Sequence, residues 1–256
     1  MKTGIICFAA LVLFILNSSS FAQKDAQQIA KRYFDLQKPA NTYSRALMVL
    51  TDRNGRERSR SLKIYTKRDE NGTHTFMEFE SPADVRGTRF LSIASRDGGD
   101  EQRIYLPALR RVRLIASSGK GGKFVGSNFF FYDLEDRSFD DYRYGFIGTQ
   151  SRQGREYDII EMVPVDENAP YAKAHAWVNP EDGFVYKMEL YDRRSSNHIK
   201  TMTVLETVIE QECIIPVRVK MESIRDDHRT ELVLEDLKVN QGVDDRVFTV
   251  QNLESR

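Results

Sequence analysis

Apolar and polar residues alternate along most of the chain after Tyr43, in short runs that end at turns rich in Gly, Asn and Asp. Ser61–Thr66 (SLKIYT) is typical, because the apolar Leu62 and Ile64 alternate with the polar Ser61 and Lys63. This period of two predicts β-strands that bury one face. We count roughly eleven such strands, and no repeat of fixed period indicates a solenoid or propeller. The pattern predicts a mainly β protein with a single large antiparallel sheet.

One segment follows a helical period instead. Asp25–Leu36 places Ile29 and Tyr33 on one helical face, and Pro39 stops the pattern. A large sheet must bury its apolar face, and one helix is too little to cover it. We therefore expect the sheet to curl into a half-open barrel. One or more helices would cover its apolar concave face and leave room for a guest molecule.

The first residues predict export. Lys2 precedes an apolar run, Ile5–Leu16, and small residues follow up to Ala22. This order is typical of a Sec signal peptide, and the run is shorter than the roughly 20 residues that span a bilayer. An uncleaved anchor is the less favoured alternative. We expect removal of residues 1–22 and a mature chain of one domain, residues 23–256, in the periplasm.

Cysteine content and charge narrow the range of functions. Cys7 lies within the signal segment, so Cys213 is left without a disulfide partner in the mature sequence. We interpret Cys213, which has apolar neighbours, as a buried small hydrophobic residue. A lipoprotein would need Cys at the cleavage point, where this chain has Gln23. The 38 basic and 38 acidic residues give no net charge that would attract nucleic acid.

The segment Arg103–Leu134 (RIYLPALRRVRLIASSGKGGKFVGSNFFFYDL) carries the most specific motifs. Tyr105–Val112, Gly122–Phe129 and Tyr132–Leu134, together with Gly87–Leu91 upstream, resemble motifs of the periplasmic outer-membrane lipoprotein-sorting proteins similar to the carrier LolA. The resemblance implies a half-open barrel with helices over its mouth. Such a protein holds lipoprotein acyl chains on the way from an inner-membrane transporter to an outer-membrane acceptor.

With this resemblance, apolar side chains in and around the segment become candidates for contact with acyl chains. Burial of each methylene is worth about 0.8 kcal/mol, so an apolar trough can bind without a charged anchor. Core packing is the alternative for the phenylalanines and for the tryptophan. The candidates are Phe90, Tyr105, Leu106, Val112, Leu114, Phe124, Phe129, Phe131 and Trp177.

A basic cluster in the same segment is a candidate for contact with lipid head groups or an acidic partner. A solvated strand face is the alternative. The glycine-rich loop is not a phosphate-binding P-loop, because a phenylalanine follows Gly-Lys where Ser or Thr is required. The cluster consists of Arg110, Arg111, Arg113, Lys120 and Lys123.

Patterns for catalysis or metal binding are missing from the sequence. The four histidines are scattered, and Gly126-Ser127-Asn128 does not form a G-x-S-x-G elbow. We therefore expect a monomeric, non-enzymatic chaperone of lipoprotein acyl chains or lipids, with no cofactor or metal. The alternative is an adaptor that docks through the basic cluster onto a lipid-exporting RND-type inner-membrane transporter.

Overall fold

Thirteen antiparallel strands form one sheet in the computed structural model, which describes residues 25–95, 99–152 and 154–255. This exceeds the roughly eleven counted from alternation. The strands are β1 (Asn41–Thr51), β2 (Glu57–Asp69), β3 (Gly72–Ser81), β4 (Arg89–Ile93), β5 (Glu101–Leu106), β6 (Arg111–Ile115), β7 (Tyr142–Arg152), β8 (Arg155–Pro164), β9 (Tyr171–Val178), β10 (Val185–Asp192), β11 (His198–Glu210), β12 (Cys213–Ser223) and β13 (His228–Val239).

The sheet is a meander whose middle is made by the first and last strands. Its order is β6-β5-β4-β3-β2-β1-β13-β12-β11-β10-β9-β8-β7. Turn chemistry sets the hairpins: between β1 and β2, Asp52 accepts backbone N–H groups of Asn54 and Arg56, and Gly55 supplies a positive φ of 77°. Because β6 and β7 do not pair, the sheet stays open, and the predicted half-open barrel is confirmed.

The open edges are joined by residues 116–141, which we call the strap. Strands β6 and β7 are consecutive in the chain but lie at opposite ends of the sheet, so the strap crosses the sheet from edge to edge. It contains four short 3-10 turns and no strand of the sheet. The face on which the strap lies is the concave face, and its apolar side chains form the largest core cluster.

Helix α1, Ala26–Phe34, covers the concave face at its other end. Its N-cap Asp25 accepts the backbone N–H of Gln27, which satisfies one of the free donors of the first turn. Ala26, Ile29 and Ala30 are buried against β7, β8 and β9. The predicted helix is confirmed, and it ends two residues before the expected limit, at Phe34.

The convex face has a smaller core near the β6 edge of the sheet. Helix α2, Val250–Glu254, inserts Leu253 against Phe76 and Leu91, and all three side chains are buried. Cys213 is also fully buried, as predicted, in a third cluster with Ile215. The tail therefore covers the outside of the strands that the strap covers on the inside.

Residues 1–22, the predicted signal peptide, lie outside the described residues. Within the described ranges, none of the helices combines the length and apolar character needed to cross a bilayer.

Candidate functional site

The strap fills one half of the concave face with aromatic side chains. Phe124 is fully buried, and its ring centroid lies 5.8 Å from that of Phe79 on β3 and 5.2 Å from that of Phe90 on β4. Phe131 packs on both strap and sheet, 5.7 Å from Phe124 and 6.0 Å from Phe90. We call this region, over β2 to β5, the strap-filled half. Here the chain supplies its own cover.

Polar contacts fix the strap on the sheet below it. The backbone N–H of Asn128 donates to Thr230 Oγ1 on β13, and that hydroxyl donates back to Asn128 Oδ1 at 2.8 Å. On β5, the buried Gln102 donates Nε2–H to the carbonyl of Phe131. These hydrogen bonds between buried polar groups favour one position for the segment.

A buried ion pair anchors the end of the strap. Lys200 Nζ on β11 lies 3.6 Å from Asp133 Oδ2, and the Tyr171 hydroxyl on β9 donates to Asp133 Oδ1 at 2.9 Å. Lys200 is only 4% exposed. Burial raises the pKa of Asp133 and lowers the pKa of Lys200 to about 8, although each charge favours the other. The Phe130 ring stacks on Tyr171 beside the ammonium group.

The other half of the concave face holds a cavity of about 250 Å³ beneath α1. Four methionines line it, and they come from β8, β10, β11 and β12. Tyr33 and Phe34 of α1 form its cover. Methionine is unbranched and flexible, so such a wall adapts to guests of different shape. We call this region the methionine half, and its methionines are Met162, Met188, Met202 and Met221.

A second, polar cavity of about 900 Å³ adjoins the first. The two share Phe34, Lys38, Asp136 and Arg137 in their walls. Lys38 Nζ and Arg68 Nη1 each lie 3.5 Å from an oxygen of Asp136. We call this cavity the polar mouth. An apolar cavity that opens into a charged one suits an amphiphile, with its tail inside and its polar end outside.

The structure brings four of the predicted acyl-contact residues together, in the strap-filled half: Phe90, Phe124, Phe129 and Phe131. Tyr105 and Val112 face the other way, because they pack with Leu253 on the convex face, and their neighbour Leu114 is 54% exposed. Leu106 ends β5. Trp177 is also convex, since it alternates with core residues of β9, and its indole N–H donates to Gln150 at 2.7 Å.

These nine residues do not include a wall residue of the methionine cavity. Sequence reasoning missed that cavity. A signal existed: four of the seven methionines of the chain occupy inward positions of the second-half strands. Read one strand at a time, each methionine is an ordinary core residue.

The predicted basic cluster is divided by the structure. Arg110, Arg111 and Arg113 are exposed at the β6 edge, and Lys123 is exposed with Asp226 Oδ2 at 3.1 Å. Lys120 is different, because it is buried, pairs with Glu135 and donates to the carbonyl of Asp100 at 2.8 Å. The Lys120 ammonium group is paired with Glu135 inside the protein, so Lys120 does not belong to the exposed surface of the three arginines.

In the part of the chain that the structure describes, His, Cys, Asp and Glu side chains do not gather in threes as a metal site requires. Asp140 and Asp141 lie in a short 3-10 turn, where Asp141 accepts the backbone N–H of Ser138.

Known proteins with the same architecture come from several bacteria. A family model described as "-like: Uncharacterized protein" matches residues 71–255. An outer membrane lipoprotein-sorting protein domain from Vibrio parahaemolyticus is 27% identical, with a TM-score of 0.83 over 90% of this chain and 97% of that one. No curated protein matches in sequence.

Two further structures share the fold. A DUF1329 family protein from Desulfovibrio piger is 24% identical and has a TM-score of 0.84, over 89% of this chain and 97% of that one. A LolA superfamily protein from Nitrosomonas europaea is 19% identical with a TM-score of 0.70, over 90% of this chain and all of that one, 100%.

Proposed function

The chain belongs to the family whose model spans residues 71–255 and has the LolA-like fold of outer-membrane lipoprotein-sorting proteins, and from this premise we propose that it carries acyl chains in the methionine half. The observation that supports this proposal is the cavity beneath α1, apolar on four strands and open to a polar mouth. The protein acts by binding: it shields the chains of a lipoprotein or lipid from water and releases them toward the outer membrane.

Energetics and size agree with a carrier that opens to load. Each methylene moved from water into the cavity contributes about 0.8 kcal/mol. The cavity, about 250 Å³, is slightly smaller than the roughly 300 to 1,000 Å³ of usual ligand sites. A full acyl chain therefore requires α1 to move outward or the methionines to change rotamer. Both are small changes, because α1 is a nine-residue helix and methionine has three rotatable side-chain bonds.

The proposal includes the compartment and the domain. Residues 1–22 direct export and are removed, and residues 23–256 form a single monomeric domain that moves freely in the periplasm. An inner-membrane transporter would load it and an outer-membrane acceptor would unload it. Transfer needs only successive apolar sites of increasing affinity.

Native mass spectrometry of the protein purified gently from a periplasmic extract tests the proposal. We expect a fraction of the protein to retain acylated molecules, and a fluorescent fatty acid to compete with them. Protein that is empty and also fails to bind the fluorescent fatty acid would contradict the carrier function.

The exposed arginines support a second candidate. Arg110 and Arg111 line a surface pocket of about 570 Å³ together with Tyr105, Pro107 and Glu254. In this case the protein is an adaptor, and an acidic surface of an RND-type lipid-exporting transporter binds these arginines. Charge reversal, Arg111→Glu with Arg113→Glu, would then abolish binding to the transporter and leave fatty-acid binding intact. If the variant still bound the transporter, the arginine surface would not be the docking site.

A further inference from the structure

We propose that the junction between the methionine cavity and the polar mouth binds the carbonyl oxygen of an ester- or amide-linked acyl chain, with Tyr132 and Arg137 as the hydrogen-bond donors. This inference rests on the carrier function and adds a chemical class to it. The ligand is an acylated molecule rather than any hydrocarbon, and its carbonyl group sets how deeply the chain enters.

Tyr132 provides the first donor. The residue is 6% exposed and lines the methionine cavity. Its hydroxyl lies next to that of Tyr142, which acts on it as a hydrogen-bond donor, and within the described ranges its own O–H has no acceptor of ordinary geometry. Burial raises the pKa of Tyr132 to about 12, so the hydroxyl keeps its proton at neutral pH. A buried donor without a partner is unusual in a folded protein and indicates a position that a ligand can fill.

Arg137 provides the second donor. Its guanidinium carbon lies 3.8 Å from the centroid of the Tyr132 ring, and its terminal nitrogen pairs with the buried Glu135. These two contacts hold the planar group in one orientation. Its Nε atom is buried and has no partner among the described residues. Arg137 is among the residues that line both cavities.

The charges around the junction favour a neutral acceptor. Glu135 and Asp136 belong to the same wall, and Lys38 and Arg68 are already paired with Asp136. A phosphate group at this position would face both carboxylates at close range. A carbonyl oxygen carries no charge and has two lone pairs, so it can accept from Tyr132 and Arg137 together.

Two glycerol lipids that differ by one oxygen atom test the proposal. 1-Monopalmitoylglycerol has an ester carbonyl, whereas 1-O-hexadecylglycerol has the same chain length and an ether in its place. Each would displace a fluorescent fatty acid from the full mature chain, below its micelle concentration. We expect the ester to bind about tenfold more tightly, which is the effect of one good hydrogen bond to a buried group.

The variant Tyr132→Phe should reduce this ester preference to about threefold or less and leave the affinity for the ether nearly unchanged. Tyr43→Phe is the matched control, because Tyr43 packs against Tyr65 on the convex face and lines neither cavity. The control should keep the full preference.

Each other result has a defined meaning. Equal affinities for ester and ether in the unmodified protein would overturn the carbonyl site and leave the carrier function standing. Failure of both lipids to bind would contradict the carrier function itself. A large drop in the melting temperature of Tyr132→Phe, with the ester preference retained, would show that the hydroxyl serves the fold and would also overturn the proposal.

Discussion

The two halves of the concave face have the same alternation of inward-facing side chains, but one half is a closed core and the other contains a cavity. In the strap-filled half, Phe79 and Phe90 meet Phe124 of the strap, and the space is closed. In the methionine half, α1 and residues 132–137 of the strap lie over the strands without filling the space, and a cavity of about 250 Å³ is left. The difference teaches that the cover, and not the strand pattern, decides whether an apolar face becomes core or binding site.

The two covers also differ in how firmly they are held. The strap is joined to the sheet at both edges and has buried polar contacts at Asn128 and Asp133. Helix α1 meets the sheet mainly through the apolar contacts of Ala26, Ile29 and Ala30. Segments with few buried contacts open at lower free-energy cost. We therefore expect ligands to enter beneath α1.

The largest effect is expected when a buried ring is removed from the strap-filled half. Phe124→Ala should lower the free energy of unfolding by about 4 kcal/mol, because it removes a fully buried ring and leaves a cavity. Fatty-acid affinity should change little. Urea denaturation and displacement of a fluorescent fatty acid measure the two quantities. If Phe124→Ala kept its stability but bound the fatty acid more weakly, the ligand would lie in the strap-filled half, which would contradict the proposed site.

The anchor between the halves should be almost as important. Lys200→Met leaves the carboxylate of Asp133 buried without its cation and should cost about 3 kcal/mol in urea unfolding. The double variant with Asp133→Leu removes both charges and should recover part of that loss. If the single and double variants were equally stable, the ion pair would have no role in holding the strap.

Filling the methionine half should separate binding from stability. Ala174→Phe places a ring in the cavity that Ala174 lines, so we expect fatty-acid affinity to fall at least about tenfold and stability to change by under about 1.5 kcal/mol. Ala176, on the same face of β9, is fully buried and lines no cavity, so Ala176→Phe should cost about 3 kcal/mol. If the two variants lost the same free energy of unfolding, the cavity would not have room for an added ring.

The smallest expected effect is a pH dependence from the anchor. Burial lowers the pKa of Lys200 to about 8 from its ordinary value of 10.5. Between these values the unfolded chain keeps a proton that the folded protein has released. The free energy of unfolding should therefore rise with pH in this window, by at most about 1.4 kcal/mol per pH unit. Lys200→Met should lose this slope between pH 8 and 9.5, and an unchanged slope would contradict the shifted pKa.

The sheet and α1 could be predicted from the sequence because both depend on local periods. Alternation identifies the inward and outward sets of a strand, but it does not say which set faces the concave side. The resemblance of their segment predicts Tyr105 and Val112 as acyl-chain contacts, whereas the tail residue Leu253 packs on them on the convex face. That contact joins distant parts of the chain and leaves no local pattern.

The methionine cavity could not be predicted from local sequence patterns either. It depends on β13 pairing with β1, which places β6 and β7 at opposite edges, so that the strap crosses the whole sheet and fills only one half with its phenylalanines. The phenylalanines of the strap look like a ligand site in sequence, since they are consecutive and apolar. In the structure Phe124 and Phe131 pack on each other and on the sheet.

Photo-crosslinking locates the bound chain most directly. A palmitate that carries a diazirine at its terminal carbon would be bound, irradiated and mapped by peptide mass spectrometry. We expect crosslinks to the methionine half, at Met162, Met188, Met202 and Met221. Crosslinks confined to Phe124 and Phe131, or to Trp177 on the convex face, would contradict the account.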